Sequence, residues 1–235
     1  MINGETILFA ALGGMLPALL WLWFWLFEDK KHPEPKRLIF LAFFMGMLTI
    51  PFVVPLQKYA QTFLFGTALI VTWAAIEELF KYFFAYFSVL RRREVDEPID
   101  AVIYMISVAL GFAALENALF LLDPITNGGF VEGILTGNFR FFGATLLHTL
   151  SSATVGVFIA LGFCKSRATK RLLTAIGIIL AISLHTLFNF FIIRSNGTDI
   201  LVVFGFVWVG IIALLLMLER IKNFKNVCLE FFKRK

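Results

Sequence analysis

The sequence predicts an all-α fold, a polytopic membrane helical bundle of about seven transmembrane helices with the N-terminus outside and the C-terminus cytoplasmic. Three observations predict it. Of 235 residues, 60% are hydrophobic and only 16% are charged, whereas a soluble domain carries about 25% charged residues. One soluble core of this length cannot enclose that excess, and the bilayer accepts it. The apolar residues fall in runs close to the roughly twenty residues that cross a bilayer core. Finally, basic residues alternate, rich then poor, from one connection to the next.

The runs cover about 6–27, 38–56, 62–90, 99–122, 139–164, 171–194 and 199–219. Only helices suit such runs, because a lipid-exposed backbone must satisfy its own polar groups. The first run follows Glu5 with no basic residue before it and is too long for a signal-peptide core, so it is expected to stay as a helix. Pro51 and Pro55 are expected to kink or end the second run. The connection 28–37 holds Lys30, Lys31, Lys36 and Arg37, whereas the turn after it holds Lys58 alone. Arg91, Arg92 and Arg93 follow the third run, and 123–138 has no basic residue. Lys165, Arg167, Lys170 and Arg171 follow the fifth, and 195–198 again has none. By the positive-inside rule the rich connections are cytoplasmic. Cys164 and Cys228 then fall on the cytoplasmic side, where thiols stay reduced.

Residues 1–218 read as one transmembrane domain. Residues 219–235 read as a basic amphipathic cytoplasmic tail, in which Ile221, Phe224, Cys228 and Phe231 recur at helical spacing among Lys and Arg. The net charge of +5 belongs to these loops and the tail, so it points to anionic lipid and topology, not to nucleic acid.

The informative residues are those that lipid rejects, since a central Asp, Lys or Arg costs about 2.5–3.5 kcal/mol. The third run holds Glu77, Glu78 and Lys81, the fourth Glu116 and Asn117, the fifth His148, and the sixth His185 and Asn189. Glu77 and Lys81 are four apart and share a helix face, which leaves Glu78 without that partner. Two adjacent buried carboxylates repel, a setting suited to general acid–base work. Glu116 suits a ligand, a base or an orienter of a histidine. His185 and Asn189 share a face and form a water- or oxyanion-binding pair. All fall in the middle and outer half of the bilayer, so four helices can bring them into one pocket. His32 lies in a charged loop and needs no such role, and Arg140 and Arg194 are expected to snorkel to the interface. The blander readings are a structural ion pair, interhelical hydrogen bonds, or a polar-lined transporter or proton pathway.

Glu77-Glu78-x-x-Lys81, Phe112-x-x-x-Glu116-Asn117, His148 and His185-x-x-x-Asn189 together resemble the PrsW family of intramembrane metalloproteases, in order, spacing and helix placement. That family is distantly related to the type II CAAX prenyl endopeptidases, which usually carry a histidine where this chain has Glu116. The resemblance implies an intramembrane endopeptidase that cleaves a membrane-anchored protein, with anti-sigma factors as the known bacterial substrate type, in a bacterial plasma membrane. The gamma-secretase scaffold subunit is similar in having seven helices and two membrane histidines. It lacks the double glutamate, and a non-catalytic scaffold is the competing reading.

In the mechanism expected here, Glu78, His148 and His185 hold a zinc ion with one open position. Glu77 or Glu116 takes the proton of the attacking water, Asn189 donates to the oxyanion, and Lys81 holds the glutamate pair. A metal-free version keeps Glu77 or Glu78 as base and the histidines as donors.

Overall fold

The computed structural model describes residues 4–28, 33–128, 140–194 and 200–233, with side chains described except at 28, 128, 140, 194, 200 and 223–233. The expectations for His32, for the side chains of Arg140 and Arg194 and for the apolar face of the tail lie outside these residues. Seven long helices are described: α1 (Gly4–Glu28), α2 (Lys36–Ala60), α3 (Gly66–Ala85), α4 (Pro98–Asp123), α5 (Thr145–Leu161), α6 (Arg167–Arg194) and α7 (Ile200–Lys233). π-Helical turns extend α3 over Tyr86–Leu90 and α4 over Pro124–Gly128, and another leads into α5 over Arg140–Ala144.

Six of the helices are long and apolar enough to span a membrane. The other, α3, has 20 residues but carries Glu77, Glu78 and Lys81. Large apolar side chains cover the outside: Leu201 is 77% exposed, Phe206 74% and Trp23 69%. The chain is an integral, multi-pass membrane protein.

Helix α4 is the axis of the bundle. It is buried on all sides from Pro98 to Ala114 and packs against α1, α2 and α5. Small residues allow backbones to approach this closely. A Cβ on Gly46 would lie 1.9 Å from the Val108 carbonyl oxygen, and one on Gly111 1.8 Å from that of Phe43. Helix α3 closes the bundle against α2 and α6, while α7 covers α5. The N-terminus of α4 is fixed by Asp100 Oδ2, which accepts from the backbone N–H groups of Asp96 at 2.9 Å and Glu97 at 2.7 Å. The Tyr104 hydroxyl donates to Glu34 at the same end.

One expectation is narrowed and one is corrected. Of the two outcomes expected at Pro51 and Pro55, a kink or an end, the end is excluded: helix α2 continues through both to Ala60. In lipid a broken helix strands polar backbone groups, whereas a proline inside one forfeits a single bond. Cys164 is not a free thiol but disulfide-bonded; the compartment argument fixes a redox poise and says nothing about which sulfurs are brought together.

Candidate active site

Five helices deliver polar side chains to one buried point. Glu77, Glu78 and Lys81 come from α3, Gln57 from α2, Glu116 from α4, His148 and Ser152 from α5, and His185 from α6. Lys81 and Glu78 are fully buried, and His148 and His185 are 2% exposed.

Glu78 is saturated. Its Oε1 accepts from Lys81 Nζ at 2.6 Å and from His185 Nδ1 at 2.8 Å, and its Oε2 accepts from the Ser152 hydroxyl at 3.3 Å. Lys81 thus pairs closely with Glu78, whereas its distance to Glu77 Oε2 is 3.9 Å. The expected Glu77–Lys81 ion pair is present, and the expectation that Glu78 lacks this partner is corrected: positions three apart on a helix adjoin as well as those four apart, and Glu78 makes the closer contact. The Lys81 ammonium also donates to His148 Nδ1 at 3.0 Å and lies 4.4 Å from the centroid of the Phe112 ring. With Nδ1 accepting, the His148 proton sits on Nε2 and is donated to Glu116 Oε2 at 3.0 Å.

Glu77 is different. Its Oε1 accepts from the Gln57 amide at 2.8 Å, but its buried Oε2 has no hydrogen-bond partner. That oxygen lies 3.7 Å from His185 Nε2 and 3.9 Å from His148 Nδ1. An orphaned carboxylate oxygen in a closed interior is costly, and a cation among these three atoms would satisfy it. Ligand atoms of Glu77, His148 and His185 lie within 4.8 Å of one another, close enough to hold a metal ion. Tetrahedral zinc with bonds of about 2.0–2.1 Å needs ligand separations of roughly 3.4 Å, so a small closure suffices. Each histidine also gives its other nitrogen to a carboxylate, Glu116 for His148 and Glu78 for His185, as metal-bound histidines do. The residues fit a metal, with one competitor: the Lys81 ammonium uses the His148 Nδ1 lone pair. The group close enough to hold a metal is thus Glu77, His148 and His185, with Glu77 where the sequence expectation put Glu78, whose oxygens are engaged by Lys81, His185 and Ser152.

The remaining expected residues stand one step away. Asn117 donates to the Thr145 hydroxyl at 2.9 Å and ties α4 to the start of α5, one turn before His148. Asn189 is half-buried and makes no hydrogen bond with the cluster. Gln57 and Ser152 were not among the expected residues. Gln57 falls within the stretch expected beyond the second run, and its only sequence signal is an amide beside a proline-bearing apolar segment. Ser152 lies one turn after His148, a spacing that puts both on one face.

A cleft of about 600 Å³ opens between α2, α3 and α4. Its wall is apolar, with Ile50, Val53, Val54, Phe112, Leu119 and Phe120, and Gln57 and Glu116 form the polar part nearest the cluster. Glu116 is thus the carboxylate that touches both the cleft and a histidine; its side chain is 16% exposed.

The model of the PrsW family intramembrane metalloprotease matches residues 34–217. Protease PrsW of Geobacillus kaustophilus (strain HTA426) is 31% identical over 166 residues, covering 67% of this chain and 68% of that protein. Protease PrsW of Oceanobacillus iheyensis is 29% identical over 205 residues, covering 86% of this chain and 91% of that one. Protease PrsW of Bacillus subtilis (strain 168) is 26% identical over 182 residues, 75% and 79% of the two chains. No solved structure matches.

Proposed function

The chain belongs to the PrsW family of intramembrane metalloproteases, and we propose that Glu77, His148 and His185 form the centre at which it hydrolyses a peptide bond of a membrane-anchored protein. The observation that carries this reading is the orphaned Glu77 Oε2, facing a nitrogen of each histidine at 3.7 and 3.9 Å. Two nitrogens and one carboxylate oxygen suit zinc. When bound there, zinc supplies a Lewis acid that lowers the pKa of a coordinated water to about 7.

The protein's own groups do the rest. Gln57 holds Glu77, and Glu78 holds His185 through Nδ1–H while the Lys81 ammonium neutralises it. Glu116 faces the cleft and, acting through one bridging water, takes the attacking water's proton as its oxygen adds to the scissile carbonyl. It returns that proton to the amide nitrogen as the C–N bond breaks, which leaves a carboxylate and an amine. Asn189, one turn beyond His185, donates to the oxyanion. An apolar segment of the substrate approaches through the cleft between α2 and α4, and an anti-sigma factor is the substrate type proposed. Catalysis resides in residues 1–218, with the tail from 219 on the inner leaflet.

A specific contact favours a metal-free version: the 3.0 Å approach of Lys81 Nζ to His148 Nδ1 uses a lone pair that a metal would need. Glu77 Oε2 is then the base. Purified protein reconstituted with a single-pass membrane substrate separates the versions. Chelation stops cleavage and added zinc restores it in the first, and chelation has no effect in the second. His148→Ala, His185→Ala and Glu77→Gln abolish cleavage in both. Wild-type rates in all three variants would overturn the site.

A further inference from the structure

A second groove begins at Tyr82, one turn beyond Glu78 on α3, and runs to the end of the bundle where the Arg-rich connections meet. It holds about 450 Å³ and is lined by Tyr82, Tyr86 and Leu90 of the α3 end, Ile159 of α5, and Arg167, Lys170, Arg171, Thr174, Ala175 and Ile178 of α6. Its lining combines three cations, two phenols and an aliphatic wall, and no lining residue is acidic. Arg167, Lys170 and Arg171 are all exposed. Among the described residues none of the three pairs with a carboxylate; Lys170 has only the Phe163 ring, 5.7 Å from its Nζ. Three cations held on the first two turns of one helix repel one another, and among the described residues no carboxylate compensates them. Thr174 lies one turn further along the same face.

We propose that this groove is a binding site for one anionic glycerophospholipid. Arg167, Lys170 and Arg171 take the phosphodiester, the Tyr86 hydroxyl sits at headgroup level beside Leu90, and an acyl chain runs inward along Ile159, Tyr82 and Ile178. Charge complementarity chooses this occupant, since basic pockets between membrane helices suit lipid phosphates. The amphipathic lining matches a molecule that is charged at one end and apolar along its length, which a free phosphate is not. Tyrosine is also the residue favoured at the headgroup boundary. The site joins α3, which carries both candidate catalytic glutamates, to α6, which carries His185. Its occupancy does not depend on the proteolytic reading.

The test is native mass spectrometry of the detergent-purified full chain, titrated with phosphatidylglycerol, phosphatidylcholine or inorganic phosphate. Phosphatidylglycerol is expected to form a one-to-one adduct in clear preference to the other two. Each basic residue near an anionic lipid is worth roughly fivefold in affinity. Lys170→Gln/Arg171→Gln therefore weakens the adduct about 25-fold, whereas the charge-conserving Lys170→Arg/Arg171→Lys retains it. Lys36→Gln/Arg93→Gln, the same loss of charge outside the groove, also retains it. Equal binding of phosphatidylcholine, equal occupancy by inorganic phosphate, or equal weakening by the outside pair would each overturn the assignment.

Discussion

Lys81 and Glu78 form a buried ion pair whose worth can be worked from its contacts. Both side chains are inaccessible, and Nζ lies 2.6 Å from Oε1. Lys81→Met strands the Glu78 carboxylate with only His185 and Ser152 as donors, and Glu78→Leu strands the ammonium. Breaking a buried pair from one side costs about 3–5 kcal/mol. Removing both charges together avoids the stranded ion, because apolar replacement of a buried pair is often neutral. What remains are neutral groups without their partners, the His185 Nδ1–H, the Ser152 hydroxyl and the His148 Nδ1 lone pair; each is also left unpaired in one of the single variants, so its cost of about 1–3 kcal/mol cancels from the coupling. The double variant should therefore be no less stable than either single one, and the coupling energy should be at least about 3 kcal/mol, where independent sites add within about 0.5 kcal/mol. Reversible unfolding in mixed micelles, followed by tryptophan fluorescence, measures all four corners of the cycle. Additive losses would mean that the pair does not carry the burial of Glu78, and the saturated-Glu78 account of the site would fall with it.

Gln57→Leu removes the donor to Glu77 Oε1 and should lower turnover about 10–100-fold, the usual loss when a group supporting a ligand is removed; Gln57→Asn, one methylene shorter, should restore only part of it, and an unchanged rate would remove Gln57 from the site. Gly111→Leu forces a side chain into the Phe43 carbonyl and should destabilise the bundle by more than the about 1–3 kcal/mol typical of overpacking, read as loss of folded protein in detergent size-exclusion profiles. Single cysteines in 28–37 and 123–138 should differ towards an impermeant maleimide, the second labelled and the first protected; the reverse would invert the proposed orientation.

Much of this was legible in the sequence, because the membrane makes the two kinds of residue conspicuous. Helix existence followed from apolar run length, and the errors concentrate where a local rule met a global constraint. Pro51 and Pro55 read as a kink or an ending because proline disrupts helices in water. In lipid α2 continues past them to Ala60, and that extra turn is what carries Gln57 up to Glu77. A residue written off as belonging to a turn thereby became a contact of the site.

The identity of the site residues was readable, but their division of labour was not. Glu77 and Glu78 are neighbours about 100° apart on α3, and sequence spacing cannot say which bonds the lysine closely and which keeps an oxygen between the two histidines. That choice depends on the rotation of α3 against α5 and α6, which packing decides. The lysine reaches both glutamates but not equally: the four-apart one pairs with it at 3.9 Å through an oxygen that has no hydrogen bond, and the three-apart one takes it at 2.6 Å. The difference has chemical sense. A carboxylate already neutralised by Lys81 and saturated by two further donors is a poor ligand and a poor base, but a good orienter of His185. The other carboxylate is held by a neutral amide at one oxygen, and its second oxygen, without a hydrogen bond, lies 3.7 and 3.9 Å from two ring nitrogens. Two adjacent glutamates therefore need not be redundant. One is fixed by the protein's own cation, and the other is left open for a metal or a proton.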